Sequence, residues 1–269
     1  MADGNLGEMS FWDHVDALRG VLLRAGAVVL LMAIVFFAAM PEIFDRIILA
    51  PTRSDFCLYG LLASLGSVRG ITPDFNADFS VSLINIQLAS QFFIHISTSF
   101  WLALVFSFPI IIYLLWSFVA PGLYEREKRG ARTAFLFGNV MFFIGVAVGY
   151  FLVFPLTLRF LAGYQVSELV PNQISLDSYM DNFLMLILVM GIIFELPLLA
   201  WLLGKTGLLT RSFFSSYRRH AVVVLLILAA VVTPTGDPFT LTVVFLPIYL
   251  LWELSARFVP SHSHDTAAA

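Results

Sequence analysis

Hydrophobic residues run through the chain in long blocks instead of alternating with polar ones, and that pattern predicts helices that cross a bilayer. About 20 apolar residues in a helix cover roughly 30 Å of hydrocarbon. The first block, Val21 to Met40, has this length and follows Arg19 and Arg24. Between Phe79 and Tyr124 there is no Asp, Glu, Lys or Arg, more than one span needs, so a membrane-surface piece is expected ahead of a second span at Phe92 to Val119. Pro109 should kink that span. A third is expected at Thr133 to Leu156, where Gly145 and Gly149 read as a helix-packing pair, and a fourth at Asn182 to Leu203. Two shorter blocks follow, His220 to Val232 and Leu241 to Trp252, the second containing Pro247. At 1.5 Å per residue, His220 to Val232 reaches only about 20 Å. The last pair should therefore form a thin hairpin lengthened by snorkelling Arg218 and Arg219, or thin the bilayer locally. Its tip, Thr233 to Pro238, is a Pro/Gly turn.

Charge fixes the expected orientation. Six spans place both termini on one side, with Arg19, Arg24, Arg126, Lys128, Arg129, Arg132, Lys205, Arg211, Arg218, Arg219 and Arg257; opposite lie only Arg46, Arg53, Arg69 and Arg159. Cations concentrate on the cytoplasmic side, so both termini are expected there. Composition agrees: 59% of the 269 residues are hydrophobic and 12% charged, too apolar for one soluble core. The expected fold is an all-α polytopic membrane protein with six helices, the last two short, forming one domain over 1–258 and a disordered polar tail over 259–269. Met1 to Asp16 has no Lys or Arg, so no cleavable signal peptide is expected. The segment Pro41 to Gln91 should be an ordered extracytoplasmic cap, given Phe75, Phe79, Leu83 and Ile84. Cys57 is the lone cysteine, which excludes an internal disulfide and a cysteine metal site.

Two features carry candidate chemistry. The loop Phe118 to Arg132 sets Glu125 and Glu127 among Arg126, Lys128, Arg129 and Arg132. Acidic residues contribute little to orientation, so these glutamates are surplus to topology and point to a cationic ligand; a surface salt-bridge network is the bland alternative. Glu195, before Pro197 in the fourth span, is a carboxylate with no cation nearby in sequence. Desolvation there favours its neutral, proton-donating form, consistent with a proton site, a docking point for another helix, or a bond fastening the Pro197 kink. Glu253 is expected to pair with Arg257 at the end of the last span. There is no phosphate loop, GxSxG or HExxH; neither enzyme, cofactor nor metal is indicated.

Several motifs together resemble the TatC family, the receptor subunit of the twin-arginine protein translocase. They are Ser10 to Arg19 (SFWDHVDALR), Ala50-Pro51, Trp116 to Arg129 (WSFVAPGLYEREKR), Gly149 to Pro155 (GYFLVFP), Phe194 to Pro197 (FELP) and Thr233 to Pro238 (TPTGDP). The resemblance implies a cupped six-span protein of the bacterial inner membrane with both termini inside. Such a protein binds twin-arginine signal peptides at its cytoplasmic face and, with small single-span TatA/TatB-type subunits in a larger assembly, exports folded cargo using the proton-motive force. It implies recognition by Glu127, with Phe118, Pro121, Leu123 and Tyr124 around it and Arg19 in the N-terminal region. Glu195 corresponds to the family's intramembrane glutamate, Asp237 to its tip aspartate, and Pro51 and Tyr150 to further family positions. One departure stands out: the family glutamate before Leu18 is Ala17 here, leaving Asp16 or Asp13 to supply that carboxylate, although one residue turns a side chain about 100° around a helix. The competing class is a small proton-coupled transporter using Glu195, with Pro109, Pro197 and Pro247 as helix interruptions.

Overall fold

The computed structural model describes residues 11–62, 79–119, 125–167, 169–205 and 208–259. The chain divides into two compact units, residues 1–40 with 96–139 and residues 41–95 with 140–269.

Most of α1 (Phe11–Ile43) and α2 (Ser90–Val119) and the first half of α3 (Glu125–Val148) make up the first unit. On α1, Leu22, Leu23, Leu30, Leu31, Ile34 and Val35 are each more than half exposed. A water-soluble protein rarely leaves so large an apolar face open, whereas a membrane-spanning helix does. Rings join the helices where they touch, Phe36 to Phe106 at 5.1 Å and Tyr113 to Phe135 at 6.2 Å between centroids. Pro109 lies inside α2 without ending it: it deprives only the Val105 carbonyl of a donor.

In the second unit, α1 loosens into a wide π turn, Phe44–Ile48, and a tight 3-10 turn, Ala50–Thr52. Residues 57–62 form a helical segment on which Cys57 is exposed. β1 (Leu83–Ile84) pairs in parallel with β2 (Ile174–Ser175), Leu83 opposite Ile174. Within the expected cap, Phe79 packs on Tyr59 and Leu83 and Ile84 form β1; Phe75 lies outside the described residues. α3 passes through a second π turn, Gly149–Val153, into α4 (Phe154–Gly163). Then come α5 (Leu176–Ile193), α6 (Leu196–Lys205), α7 (Arg211–Ser216), α8 (Arg218–Val232) and α9 (Pro238–Phe258).

Among the described residues, five helical stretches are long and apolar enough to cross a membrane: Val15–Leu62, Ser90–Phe118, Ala134–Gly163, Leu176–Lys205 and Pro238–Arg257. The expected short hairpin is short in one arm only. α8 has 15 residues, about 22 Å, whereas α9 has 21, about 31 Å. α9 starts early because Asp237 caps it and Pro238 suits its first turn. It continues past Trp252 because Glu253 is neutralised, though by a different partner from the expected Arg257. Arg218, from α8, grips Glu253 as a fork, Nε to Oε1 at 2.8 Å and Nη2 to Oε2 at 2.9 Å, and the Tyr249 hydroxyl donates to Oε1 at 3.1 Å. A partner from another helix could not be read from i,i+4 spacing.

The expected glycine pair is a packing seam between α3 and α5. A Cβ on Gly145 would lie 2.5 Å from the Met190 carbonyl oxygen and 2.7 Å from Phe194 Cβ; one on Gly149 would lie 2.9 Å from Ile187 Cα. Gly191 answers from α5, where a Cβ would meet Phe142 and Val146 at 2.9 Å. Gly145→Ala should therefore destabilise the protein. Alanine gains about 1 kcal/mol in helix propensity, but overpacking against backbone costs about 1–3 kcal/mol and often more than the gain. Thermal unfolding in detergent should show a lower midpoint for Gly145→Ala and an unchanged or higher one for Gly26→Ala, where a Cβ meets nothing within 4 Å. Equal midpoints would refute the seam.

Candidate functional site

Glu195 sits where the fourth span breaks. Pro197 has no N–H to offer the Ile193 carbonyl, so α5 ends at Ile193 and α6 restarts at Leu196. The backbone closes the gap with a tight turn: Glu195 N–H donates to Ile192 O and Leu199 N–H to Glu195 O, both at 3.0 Å. Glu195 is half-buried, and its Oε1 is enclosed without a hydrogen-bond partner among the described residues. The glycine seam holds this break in place, since Gly145 packs on Phe194. Among the described residues, no hydrogen bond to Oε1 fastens the kink.

A second cluster forms where the first span ends. Pro51 cannot donate to the carbonyl four residues back, Ile47, and the π turn leaves that of Ile48 in need of a donor. Phenol hydroxyls supply both: Tyr150 donates to Ile47 O at 2.8 Å, and Tyr179 donates to Ile48 O. Tyr59 donates to Pro51 O at 2.9 Å and to Pro155 O at 3.2 Å. The Arg159 guanidinium lies 5.0 Å over the rings of both Tyr59 and Phe79, within cation–π range. Phe56 packs edge-on against Tyr150 at 5.7 Å. Pro51 and Tyr150, singled out separately in the sequence, thus meet through one patch of helix-end carbonyls. Tyr59, Tyr179 and Arg159 were missed. The signal was present, since a tyrosine in an apolar segment must find a partner for its hydroxyl, but only folding says which carbonyl.

Asp237 stands apart from both clusters, at the start of α9. Its carboxylate accepts from Thr240 N–H at 2.7 Å and from the Thr235 hydroxyl at 2.6 Å, and Gly236 supplies the turn with φ +60°. Partial burial pushes its pKa up, but the bonds from Thr235 and Thr240 outweigh this and hold it below the usual carboxylate range. The capping energy is thus fully present above the ordinary aspartate pKa and is lost as pH falls through the lowered one. Asp237 has a local architectural role.

The remaining candidates lie in the first unit. Asp16 and Arg19 are exposed on α1, three residues apart, and Phe118 is half-buried near the end of α2. Pro121, Leu123 and Tyr124 lie outside the described residues. Glu127 lies in the first turn of α3, and its side chain is outside the described residues, as is that of Asp13 on α1. The helix start adds something that the loop reading lacked: acidic residues in a first turn favour the helix by about 0.3–1 kcal/mol, so Glu125 and Glu127 are surplus to topology but not to α3.

Comparison with known proteins gives one answer. The sequence profile of the family described as Sec-independent protein translocase protein (TatC) matches residues 13–247. The TatC protein of Blattabacterium sp. subsp. Periplaneta americana is 32% identical over 250 residues, 92% of this chain and 94% of that one. The Helicobacter pylori 26695 protein of the same name is 40% identical over 174 residues, 65% of this chain and 68% of that one. Two crystal structures of the twin-arginine translocase receptor TatC, one of them in the detergent DDM, are both 27% identical to it. They superpose with TM-scores of 0.69 and 0.71, over 91% and 92% of this chain and 97% and 99% of theirs. The chain therefore belongs to the TatC family of Sec-independent protein translocase proteins and is a multi-pass membrane component of the Tat translocase, which works with other Tat subunits.

Proposed function

We propose that this protein is the receptor of its translocase, binding twin-arginine signal peptides at the cytoplasmic face through the loop that opens α3 and forming the core through which folded cargo is exported. The observation that carries the reading is Glu127 at the head of a membrane-spanning helix, in the family's WSFVAPGLYEREKR segment. Arginine presents a planar fork that pairs with a carboxylate through two parallel bonds, whereas lysine is a point charge. A placed carboxylate can thus distinguish an arginine pair from a lysine pair. Phe118, Pro121, Leu123 and Tyr124, its apolar and aromatic neighbours in sequence, belong to the same site in this reading, and Asp16 and Arg19 contribute from the N-terminal region.

In this reading the chain is one integral domain of the bacterial inner membrane with α8 as its sixth span, both termini are cytoplasmic, and several copies assemble with small TatA/TatB-type single-span subunits. The proton-motive force drives transport, and Glu195 accepts a polar group from a partner helix. The alternative of a proton-coupled solute transporter is not favoured, because the matches run through almost the whole chain and are to protein translocase components.

Photo-crosslinking tests the proposal. A twin-arginine peptide with a photoreactive residue beside the pair should label the 118–132 segment in inverted membrane vesicles, and a twin-lysine peptide should not. Equal labelling by both peptides would defeat it.

A further inference from the structure

We propose that the end of the second unit built around Phe214 and Trp252 binds the phosphate headgroup of an anionic phospholipid. One buried cluster organises it: Ala200 of α6, Phe214 of α7 and Val259 after α9, with Trp252 packed against them and its ring 4.7 Å from that of Phe214. α6, α7 and the end of α9 meet there, and each carries a cation: Lys205 in the last turn of α6, Arg211 at the start of α7 and Arg257 in the last turn of α9. The Arg218–Glu253 fork ties the start of α8 to the same end and brings Arg219 with it.

Charge at this end is unbalanced. From Leu196 to Val259 the Lys and Arg residues are Lys205, Arg211, Arg218, Arg219 and Arg257, and the acids are Asp237 and Glu253. Asp237 belongs to the opposite end of α9, and Glu253 is taken by Arg218. Lys205 and Arg257 suit their positions in last helical turns, and Lys205 Nζ also lies 4.0 Å over the Trp201 ring. Arg211 and Arg219 do not, because both occupy first turns, where the helix dipole disfavours a cation. They are exposed and have no carboxylate within ion-pair distance among the described residues. Concentration of cations on one side of a membrane accounts for the side they lie on but not for their placement at unfavourable helix starts. Tryptophan at the end of a span marks headgroup depth, where basic pockets between helices take anionic headgroups. A phosphate there would offset both misplaced arginines.

The test uses the full-length protein, delipidated in detergent, with phosphatidylglycerol and phosphatidylcholine as probes and bound lipid counted by native mass spectrometry. Wild type should bind phosphatidylglycerol preferentially. Arg211→Gln/Arg219→Gln should weaken that binding about thirtyfold, the equivalent of about 1 kcal/mol per cation. Arg211→Lys/Arg219→Lys should retain it, since a phosphate also accepts a point charge, which keeps the test valid if the glutamine variant folds poorly. Arg46→Gln/Arg53→Gln removes the same charge elsewhere and should leave binding unchanged. The proposal is overturned if wild type shows no preference between the lipids, if the Arg46/Arg53 variant loses as much as the Arg211/Arg219 variant, or if an acidic peptide binds here where phosphatidylglycerol does not.

Discussion

Replacing Glu127 with alanine is expected to weaken binding of a twin-arginine peptide by about 1.5–3 kcal/mol, the worth of a charge-assisted hydrogen bond, or roughly ten- to a hundredfold in Kd. Because Glu127 also lies in the first turn of α3, its loss could act through the helix instead. The dipole contribution is about 0.3–1 kcal/mol, smaller than the binding effect, and the two separate experimentally. Glu127→Gln keeps an acceptor but removes the charge and the two-oxygen fork, so it should lose most of the binding while barely changing the unfolding midpoint. The measurement is peptide affinity at matched folded protein, with a twin-lysine peptide alongside. If wild type and Glu127→Ala bind equally, the glutamate serves the helix alone. Ala17→Glu should strengthen binding or leave it unchanged, according to whether Asp16 already fills that role.

Glu195 should separate its variants by hydrogen bonding rather than by size. Oε1 is enclosed and unpartnered among the described residues, and an ionised carboxylate at that depth costs a few kcal/mol on insertion scales. A neutral acid that accepts from a partner helix meets both constraints. Glu195→Gln then keeps the acceptor and should sustain export of a folded reporter, whereas Glu195→Ala strands the partner's polar group in hydrocarbon at a cost of about 1–3 kcal/mol. Alanine should therefore reduce both export and the amount of co-purified single-span subunit at equal expression. Alanine as active as wild type would leave the carboxylate without a partner role. Glutamine as inactive as alanine would mean that titration of the acid itself is required.

Apolar block length alone located the five described helical stretches long enough to cross a membrane, because each must hide its backbone polar groups internally whatever its neighbours do. The break at Glu195 was likewise legible, since Pro197 removes a specific donor. Long-range partnership was not. Glu253 reads as the mate of Arg257 in a linear chain, yet takes Arg218, because the hairpin brings the start of α8 to the end of α9, opposite the turn that joins them, and this is also why α9 outruns its apolar block. The glycines at 145 and 149 announced a close approach, but that Gly191 answers them depends on which faces of α3 and α5 meet. Pro51 and Tyr150 were noticed as separate motifs. Only tertiary structure shows that the hydroxyls of Tyr150, Tyr59 and Tyr179 satisfy the carbonyls left around Pro51 at the end of the first span. Sequence thus determined what each segment could satisfy within itself, namely span, break and cap. Tertiary structure decided where unsatisfied groups found partners, since a hydroxyl or carboxylate needs a donor or acceptor in space and carries no record of its position along the chain.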